Sequence, residues 1–367
     1  MHGIKTIGIR GAGLAGISVA CELLKANPQL SISLFDKRPR LPHPQRTFCF
    51  FGPEAVHELP PLRSYSWKTV MFRGPTFERR IDVSASPYTM IRGHDFFEHT
   101  LEILELGGVS CRWGCERVEI KGNTLRVDGK DTTYDRVIDA AFDPAAAASM
   151  MWQSFAGVWV QTNTSSFDPT TATLMDLQES STEAPVSFLY LLPTTPHTAL
   201  IEHTTFSPTV LPKEYHTERC INWLNTNLAG RFELQDVERG AIPMGLKLTT
   251  TSSELTLGTN AGAIRPATGY AFLASQAQAR SVCDAVLKGR TYTAKAHPGW
   301  LDAGDRVFLR ALLKSPRSGG VLLGELLERA PSEALIAFLA GRASPLQALS
   351  VWFSAPKIVM LKALCGV

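Results

Sequence analysis

Long apolar runs are missing from this chain. Although 44 % of its 367 residues are hydrophobic, no uninterrupted stretch reaches the roughly 18 residues that suggest a membrane-spanning helix. An excess of charge of either sign is also missing. Against 37 Lys and Arg stand 34 Asp and Glu, a net +3 that is too small and dispersed to mark a nucleic-acid partner. Cysteine is sparse and odd in number, seven in all, which fits a reducing compartment rather than a disulfide scaffold. Cys111 and Cys115 are close, but no second Cys or His pair has metal-ligand spacing, so no metal site is expected. No early apolar segment precedes a cleavage site, so a signal peptide is excluded and a cytoplasmic location expected. No internal repeat or low-complexity tract breaks the chain. What remains is a mean hydropathy near zero and length enough for a large core in two closely joined domains.

Against that background one segment is unusually specific. Ile7-Gly-Ile-Arg-Gly11-Ala-Gly13-Leu-Ala-Gly16 contains a G-x-G-x-x-G between a β-branched run and a helical one. About twenty residues on, Asp36 ends a second apolar run, where the ribose-binding acid of a βαβ dinucleotide fingerprint belongs. Gly11 allows the tight turn, Gly13 lets backbone N–H groups approach a pyrophosphate, and Gly16 lets helix and strand pack closely. The helix N-terminus adds partial positive charge. Leu14, Ala15 and Lys37 complete the expected cradle.

Residues 41–85 are rich in proline, aromatics and arginine, including Pro42, Pro44, Trp67 and Phe72, and read as a loop-and-strand excursion. A helix is expected around His94–Leu106, short strands near 117–120 and 124–127, and a buried strand at Tyr134–Asp139 returning to the nucleotide-binding sheet. From 151 to 253 the texture is of threonine-rich alternating strands. A glycine-rich turn and a helix, Ala274–Val286, follow, and the last 75 or so residues carry apolar helical faces at Val307–Leu313, Val321–Leu327 and Leu335–Leu339. The expected class is α/β. Segments 1–40, 86–150 and 254–290 form a discontinuous Rossmann-like nucleotide-binding domain. An inserted antiparallel β-rich substrate domain takes 41–85 and 151–253, and 291–367 a helical C-terminal region.

The second glycine-rich segment, Gly258-Thr-Asn-Ala261-Gly262-Ala-Ile-Arg265-Pro266-Ala-Thr-Gly269-Tyr270, resembles the flavin hydroxylase run that passes the ribityl chain and opens a helix towards the isoalloxazine. It differs in having Thr259 where those enzymes have Asp. The resemblance makes FAD, rather than NAD, the expected cofactor, with Gly258, Ala261, Gly262, Arg265 and Gly269 along it.

Further segments resemble the flavin-dependent lycopene cyclase family, bacterial branch. Phe188-Leu-Tyr190-Leu-Leu-Pro193 followed by Leu200-Ile-Glu202-His203-Thr204 is similar to its F-x-Y-x-L-P … L-I-E-[DE]-T. Ala261–Tyr270 is similar to its A-G-x-x-H-P-T-T-G-Y, and Thr47-Phe-Cys-Phe-Phe51 to an early aromatic motif. Weaker matches include Gln153-x-Phe155-x-Gly157 and Glu238-x-Gly240-x-x-Pro243, and the series runs over nearly the whole chain in order.

This resemblance implies a redox-neutral reaction with reduced FAD, the flavin being reduced by NAD(P)H or another reductase. A carboxylic acid protonates the terminal double bond of a linear polyene and the cation closes a six-membered ring. Such an acid must stay neutral at working pH, which burial in an apolar pocket provides. Glu202 is the expected acid, sharing a strand face with Leu200, Thr204 and Phe206, while His203 lies on the other. Phe50, Tyr190 and Tyr270 are the expected lining of the substrate site. Arg265 replaces the family's His and is expected near the flavin pyrimidine, stabilising an anionic reduced flavin. The family's second acid is His203 here, and its proline-rich C-terminal motif shrinks to Ser354-Ala-Pro356-Lys-Ile-Val359. These departures leave open a non-carotenoid prenyl chain as substrate. An aromatic-hydroxylase type of monooxygenase is the rival, against which stand Ala140-Ala141 in place of an Asp-Gly motif and Thr259. Mixed apolar and basic residues around Leu312, Leu313, Lys314, Arg317 and Val321 fit peripheral contact with the inner face of a membrane.

Overall fold

The computed structural model describes residues 4–40, 46–52, 62, 64–144, 147–228, 231–247, 255–292 and 296–356. Pro42, Pro44 and Lys357–Val359 lie outside them. Strand β1 (Thr6–Arg10), helix α1 (Leu14–Ala26) and strand β2 (Ser31–Phe35) open the chain. Strands β3 (Thr47–Phe51), β4 (Ser64–Trp67), β5 (Thr69–Gly74), β6 (Phe77–Asp82) and β7 (Tyr88–Arg92) follow, then α2 (Gly93–Leu106) and β8 (Ser110–Arg112). A three-stranded set, β9 (Val118–Lys121), β10 (Thr124–Val127) and β11 (Lys130–Thr133), leads into β12 (Arg136–Asp139).

The first layer is a parallel sheet ordered β12-β1-β2-β8. Ile7, Gly8 and Ile9 of β1 are all buried, as expected of a parallel strand covered on both faces. The chain then builds β13 (Met151–Gln161), β14 (Thr171–Leu177), β15 (Val186–Thr195), β16 (Thr198–Ser207), α3 (Lys213–Leu228) and β17 (Glu233–Met244). With β5 and β6 these make a seven-stranded sheet, β17-β13-β16-β15-β14-β5-β6. Its pairs are antiparallel except β14 with β5. Segment 41–85 is divided: β5 and β6 join this sheet, whereas β3 and β4 flank β7 in a separate three-stranded one.

Helix α3 stands where only strands are expected from the sequence. Its buried residues, His216, Cys220, Leu224 and Leu228, form one four-residue stripe that begins with a histidine, among Asn, Thr and charged neighbours. So narrow an apolar signal is hard to read as a helix. It covers one face of the large sheet, meeting Val158, Val160 and Ile201.

A 3-10 turn at Gly258–Ala261 precedes α4 (Phe272–Leu287), whose Gln276 amide donates to Ser18 of α1 at 2.8 Å. The C-terminal helices are α5 (Gly299–Lys314), α6 (Gly319–Arg329), α7 (Ser332–Leu339) and α8 (Pro345–Ser354). Leu309, Leu312, Leu322, Leu326, Leu335 and Val351 from them enter the same core as Phe72, Leu174 and Phe188 of the large sheet. The helical region therefore roofs the opposite face of the sheet. Among the described residues no helix is long and apolar enough to cross a membrane.

Candidate active site

The first glycine loop is shaped by contact. Gly11 has φ +97° and donates to the Phe35 carbonyl at 2.7 Å, and a Cβ there would lie 2.7 Å from the Ala141 nitrogen. A Cβ on Gly16 would run into the Gly11 carbonyl oxygen. Only glycine lets α1 start this close to β1. Leu14 and Ala15 form the first turn of the helix, and Lys37 is exposed beyond β2.

Asp36 is buried beside this loop and accepts from the Ala12 N–H at 2.6 Å. It also accepts from the Arg38 N–H at 2.7 Å and the Arg38 guanidinium at 3.0 and 2.8 Å. Burial pushes its carboxyl up, but these donors outweigh it and hold Asp36 below the usual carboxylate range. The expected ribose acceptor is thus an ionised acid with Arg38 folded over it.

The second glycine loop abuts the first. A Cβ on Gly258 would lie 2.8 Å from that of Ala15, and the Asn260 amide donates to the Ala141 carbonyl at 2.7 Å. The Gln278 carboxamide oxygen takes the Gly258 N–H at 2.8 Å, and its amide donates to the Ala261 carbonyl at 2.8 Å. Gly262 closes the 3-10 turn in the left-handed region. Gly269 faces Gln153, whose buried carboxamide oxygen has no hydrogen-bond partner among the described residues.

Arg265 departs from expectation. It is almost fully buried and its guanidinium pairs with buried Asp305 of α5 at 2.9 and 3.1 Å. It also donates to the Phe338 carbonyl and stacks on the Phe338 ring, 4.1 Å from its centroid. A buried guanidinium needs a counter-charge more than it needs a ligand. Asp305 supplies one, so Arg265 pins the loop to the helical roof and its charge is neutralised within the protein.

Glu202 lies at the centre of β16, opposite Tyr190 of β15. The strand alternates as expected: Leu200 and Phe206 enter the core roofed by the C-terminal helices, and Ile201 packs under α3. Tyr88, Tyr190 and Tyr270 gather around Cys49 on this side, with the Tyr270 hydroxyl 3.4 Å from that of Tyr88. Burial raises all three phenols and the Cys49 thiol, keeping them neutral. A small cavity, lined by Cys49, Phe50, Tyr270 and Phe272 among others, connects this cluster with the second glycine loop and the α7–α8 turn. Phe50 itself points into the nucleotide-binding core, stacked on Phe272 at 5.0 Å. It can line the cavity but is turned from Glu202, because Cys49 and Phe51 take the other face of β3.

Beside Glu202 stands a second acid, Glu238 of β17. Gly157 of β13 is paired with Glu202 on one side and Glu238 on the other. With no side chain between them, the two carboxyl side chains face each other across β13 and each acts on the other's proton. Burial and then the negative charge of Glu238 push Glu202 well above the carboxylic range. Burial also raises Glu238, opposed by hydrogen bonds from Thr47, Glu202 and Trp159 and by the Arg92 charge. Glu238 stands in the sequence only within the weak Glu-x-Gly-x-x-Pro match. Cys49 stands in the sequence only within the Thr47–Phe51 match, because contact across four strands and a loop is invisible to local pattern.

On the far face, His203 is fully buried between Ser187 and His216, each 2.9 Å away. His216 reaches Ser154 at 3.2 Å. Among the described residues no group of three metal-ligating side chains converges.

A structure of CtdE in complex with FAD and a substrate is similar over 99 % of this chain and all of that one (TM-score 0.60, 12 % identity). A flavoprotein/dehydrogenase from Cytophaga hutchinsonii matches over 98 % and 99 % (TM-score 0.60, 14 % identity). The tryptophan halogenase MibH matches over 98 % and 95 % (TM-score 0.59, 14 % identity). This is the fold of FAD-dependent halogenases and oxygenases. Among curated proteins, a lycopene beta-cyclase of Paracoccus sp. (strain N81106 / MBIC 01143) is 25 % identical over 282 residues, 71 % of this chain and 69 % of that protein. The family model described as "Lycopene cyclase protein" matches residues 7–365, and the chain therefore belongs to the lycopene cyclase family.

Proposed function

We propose that this protein binds FAD and cyclises a linear polyene, lycopene or a related isoprenoid, by proton transfer without net oxidation. The observation that carries the reading is a buried, protonatable Glu202 among neutral tyrosines, beside a glycine loop that continues into Tyr270. The FAD site fits its ligand. The open turn at Gly13, the acid Asp36, the abutting Gly258–Gly262 loop and the unpartnered Gln153 oxygen near Gly269 would hold a dinucleotide. When bound in reduced form, FAD supplies negative charge that stabilises a carbocation, with NAD(P)H or a reductase as the electron source.

In this reading Glu202 holds the reactive proton because burial keeps its carboxyl neutral. It delivers that proton to a terminal alkene carbon, and the adjacent carbon becomes a tertiary cation. Attack by an internal double bond closes the ring, and a proton lost from a neighbouring carbon restores neutrality. Tyr190 and Tyr270 offer π faces to the cation, and the packed aromatic walls exclude water that would trap it as an alcohol.

Peripheral membrane contact suits an insoluble substrate. On α8, Leu346, Leu349 and Phe353 share one face and are exposed, with Trp300 and Leu313 exposed on α5. We assign contact with the lipid surface to this stripe. Replacing Leu346 and Phe353 by Asp should abolish co-flotation with anionic vesicles, and unchanged flotation would remove the assignment.

The function is tested by expressing the chain in a lycopene-accumulating bacterial host and reading the pigments by chromatography with mass detection. A product of unchanged mass and shifted absorption is expected. Unchanged lycopene from an FAD-loaded protein would move the substrate to another prenyl chain.

A further inference from the structure

Two acids at Gly157 are one more than protonation of an alkene requires. β16 and β17 flank β13, so their backbones lie two strand spacings apart, roughly 10 Å. Side chains on such strands normally meet the residue between them rather than each other. Gly157 removes that residue. A Cβ there would come within 3.1 Å of the Glu238 Cγ and 3.3 Å of the Glu202 Cβ, so any larger residue would occupy the space in which the carboxyls meet.

The hydrogen bonds around the pair have a direction. Glu238 accepts from the Thr47 hydroxyl at 3.0 Å and stands beside Trp159. Among the described residues Glu202 accepts a side-chain bond from the Thr204 hydroxyl at 2.9 Å. A carboxylate is acceptor-only, whereas a carboxylic acid must donate once. Glu238 has the surroundings of the first, and Glu202, able to donate to it across Gly157, those of the second. The charges agree. Arg92 of β7, 4.6 Å over the Trp159 ring, and Arg46 ahead of β3 act on Glu238. The titratable groups around Glu202 are Tyr190, Tyr270 and Cys49 on the site face and Cys220 of α3 behind the sheet, all raised by burial.

We propose that Glu238 is a positioning residue, a resident carboxylate seated by the Gly157 gap that holds the proton on Glu202. The proposal rests on Glu202 being the general acid and adds how its proton is kept. The negative charge makes Glu202 a weaker acid, but the same charge lies in the field of the cation formed when the proton leaves. After transfer both carboxylates face that cation, and the proton released at ring closure returns to the pair. One proton leaves and one comes back, with no electron exchanged.

The test is an infrared pH titration of the FAD-loaded full-length protein, reading the C=O stretch of a protonated carboxyl without substrate. A chain that does not cyclise lycopene still reports, so the two readings fail separately. Wild type should keep this band well above the usual carboxyl range, and Glu202→Gln should lose it. Glu238→Gln should keep it but release the proton at lower pH, because the neighbouring charge is gone. Gly157→Ala should give the same downward shift by parting the carboxyls, and serves if Glu238→Gln does not fold. A band surviving in Glu202→Gln and absent in Glu238→Gln would put the proton on the wrong acid. A band titrating in Glu238→Gln or Gly157→Ala as in wild type would dissolve the coupling.

Discussion

Glu202 and His203 are neighbours on one strand, yet their side chains inhabit opposite faces of the large sheet and illustrate two outcomes of burying a titratable group. Both meet a partner of their own kind, Glu238 and His216. Burial drives each towards its neutral form, but neutrality means a held proton for an acid and a lost one for a base. Burial and then the His216 charge take His203 down to about 3, and His216 itself falls to about 4, again chiefly by burial. The histidine face is sealed under α3, with its ring nitrogens engaged by Ser187, Ser154 and each other. The acid face meets tyrosines and a cavity leading to the glycine loop. What separates the two pairs here is their surroundings, not burial: a covering helix for the histidines and neutral tyrosines for the acids.

Catalysis gives the largest expected contrast between the faces. Glu202→Gln should lower cyclisation per bound flavin by about 10²–10⁴-fold, the contribution of a general acid, with FAD still bound. His203→Gln should retain turnover. An equal loss in both variants would break the division. Stability should show the reverse order. His203→Phe strands the polar atoms of Ser187 and His216 and should cost about 1–3 kcal/mol in chemical denaturation. A neutral effect would mean that the histidine chain contributes nothing to the core.

The smallest effect is in pH dependence, where the signs oppose. The folded pKa values of the histidines lie below their ordinary 6.5, so the unfolded chain takes up protons first as pH falls. Their stabilisation is full above about 6.5 and is lost on the way down to about 3. Glu202 is raised from 4.5, so its stabilisation is full below that value and lost as pH rises towards its folded pKa. Melting temperatures across pH should therefore flatten on the alkaline side in Glu202→Gln and on the acid side in His203→Phe. Parallel curves for wild type and both variants would contradict the assignment.

The first glycine turn and the strand face of Glu202 are legible in the sequence because each depends on local pattern. Gly11, Gly13, Gly16 and Asp36 stand at spacings that a single βαβ unit imposes, and strand alternation separates Glu202 from His203 without further information. Phe50 and Arg265 show where local pattern stops. The place of Phe50 in the Thr47–Phe51 match makes it an expected lining residue, but the register of β3 on β7 turns it towards Phe272 and gives Cys49 the face of Tyr88 and Tyr270. Arg265 lies in the flavin loop by sequence, yet Asp305, forty residues away on α5, neutralises its charge.

By itself, the sequence determined an α/β nucleotide-binding frame, a glycine-rich second loop and a glutamate on an apolar strand face, since these follow from backbone geometry within a few dozen residues. Only the tertiary structure decided that Glu238 would join Glu202. That pairing needs β13, β16 and β17 in one register with a glycine at the crossing point. No local propensity encodes a contact between side chains on strands that do not touch.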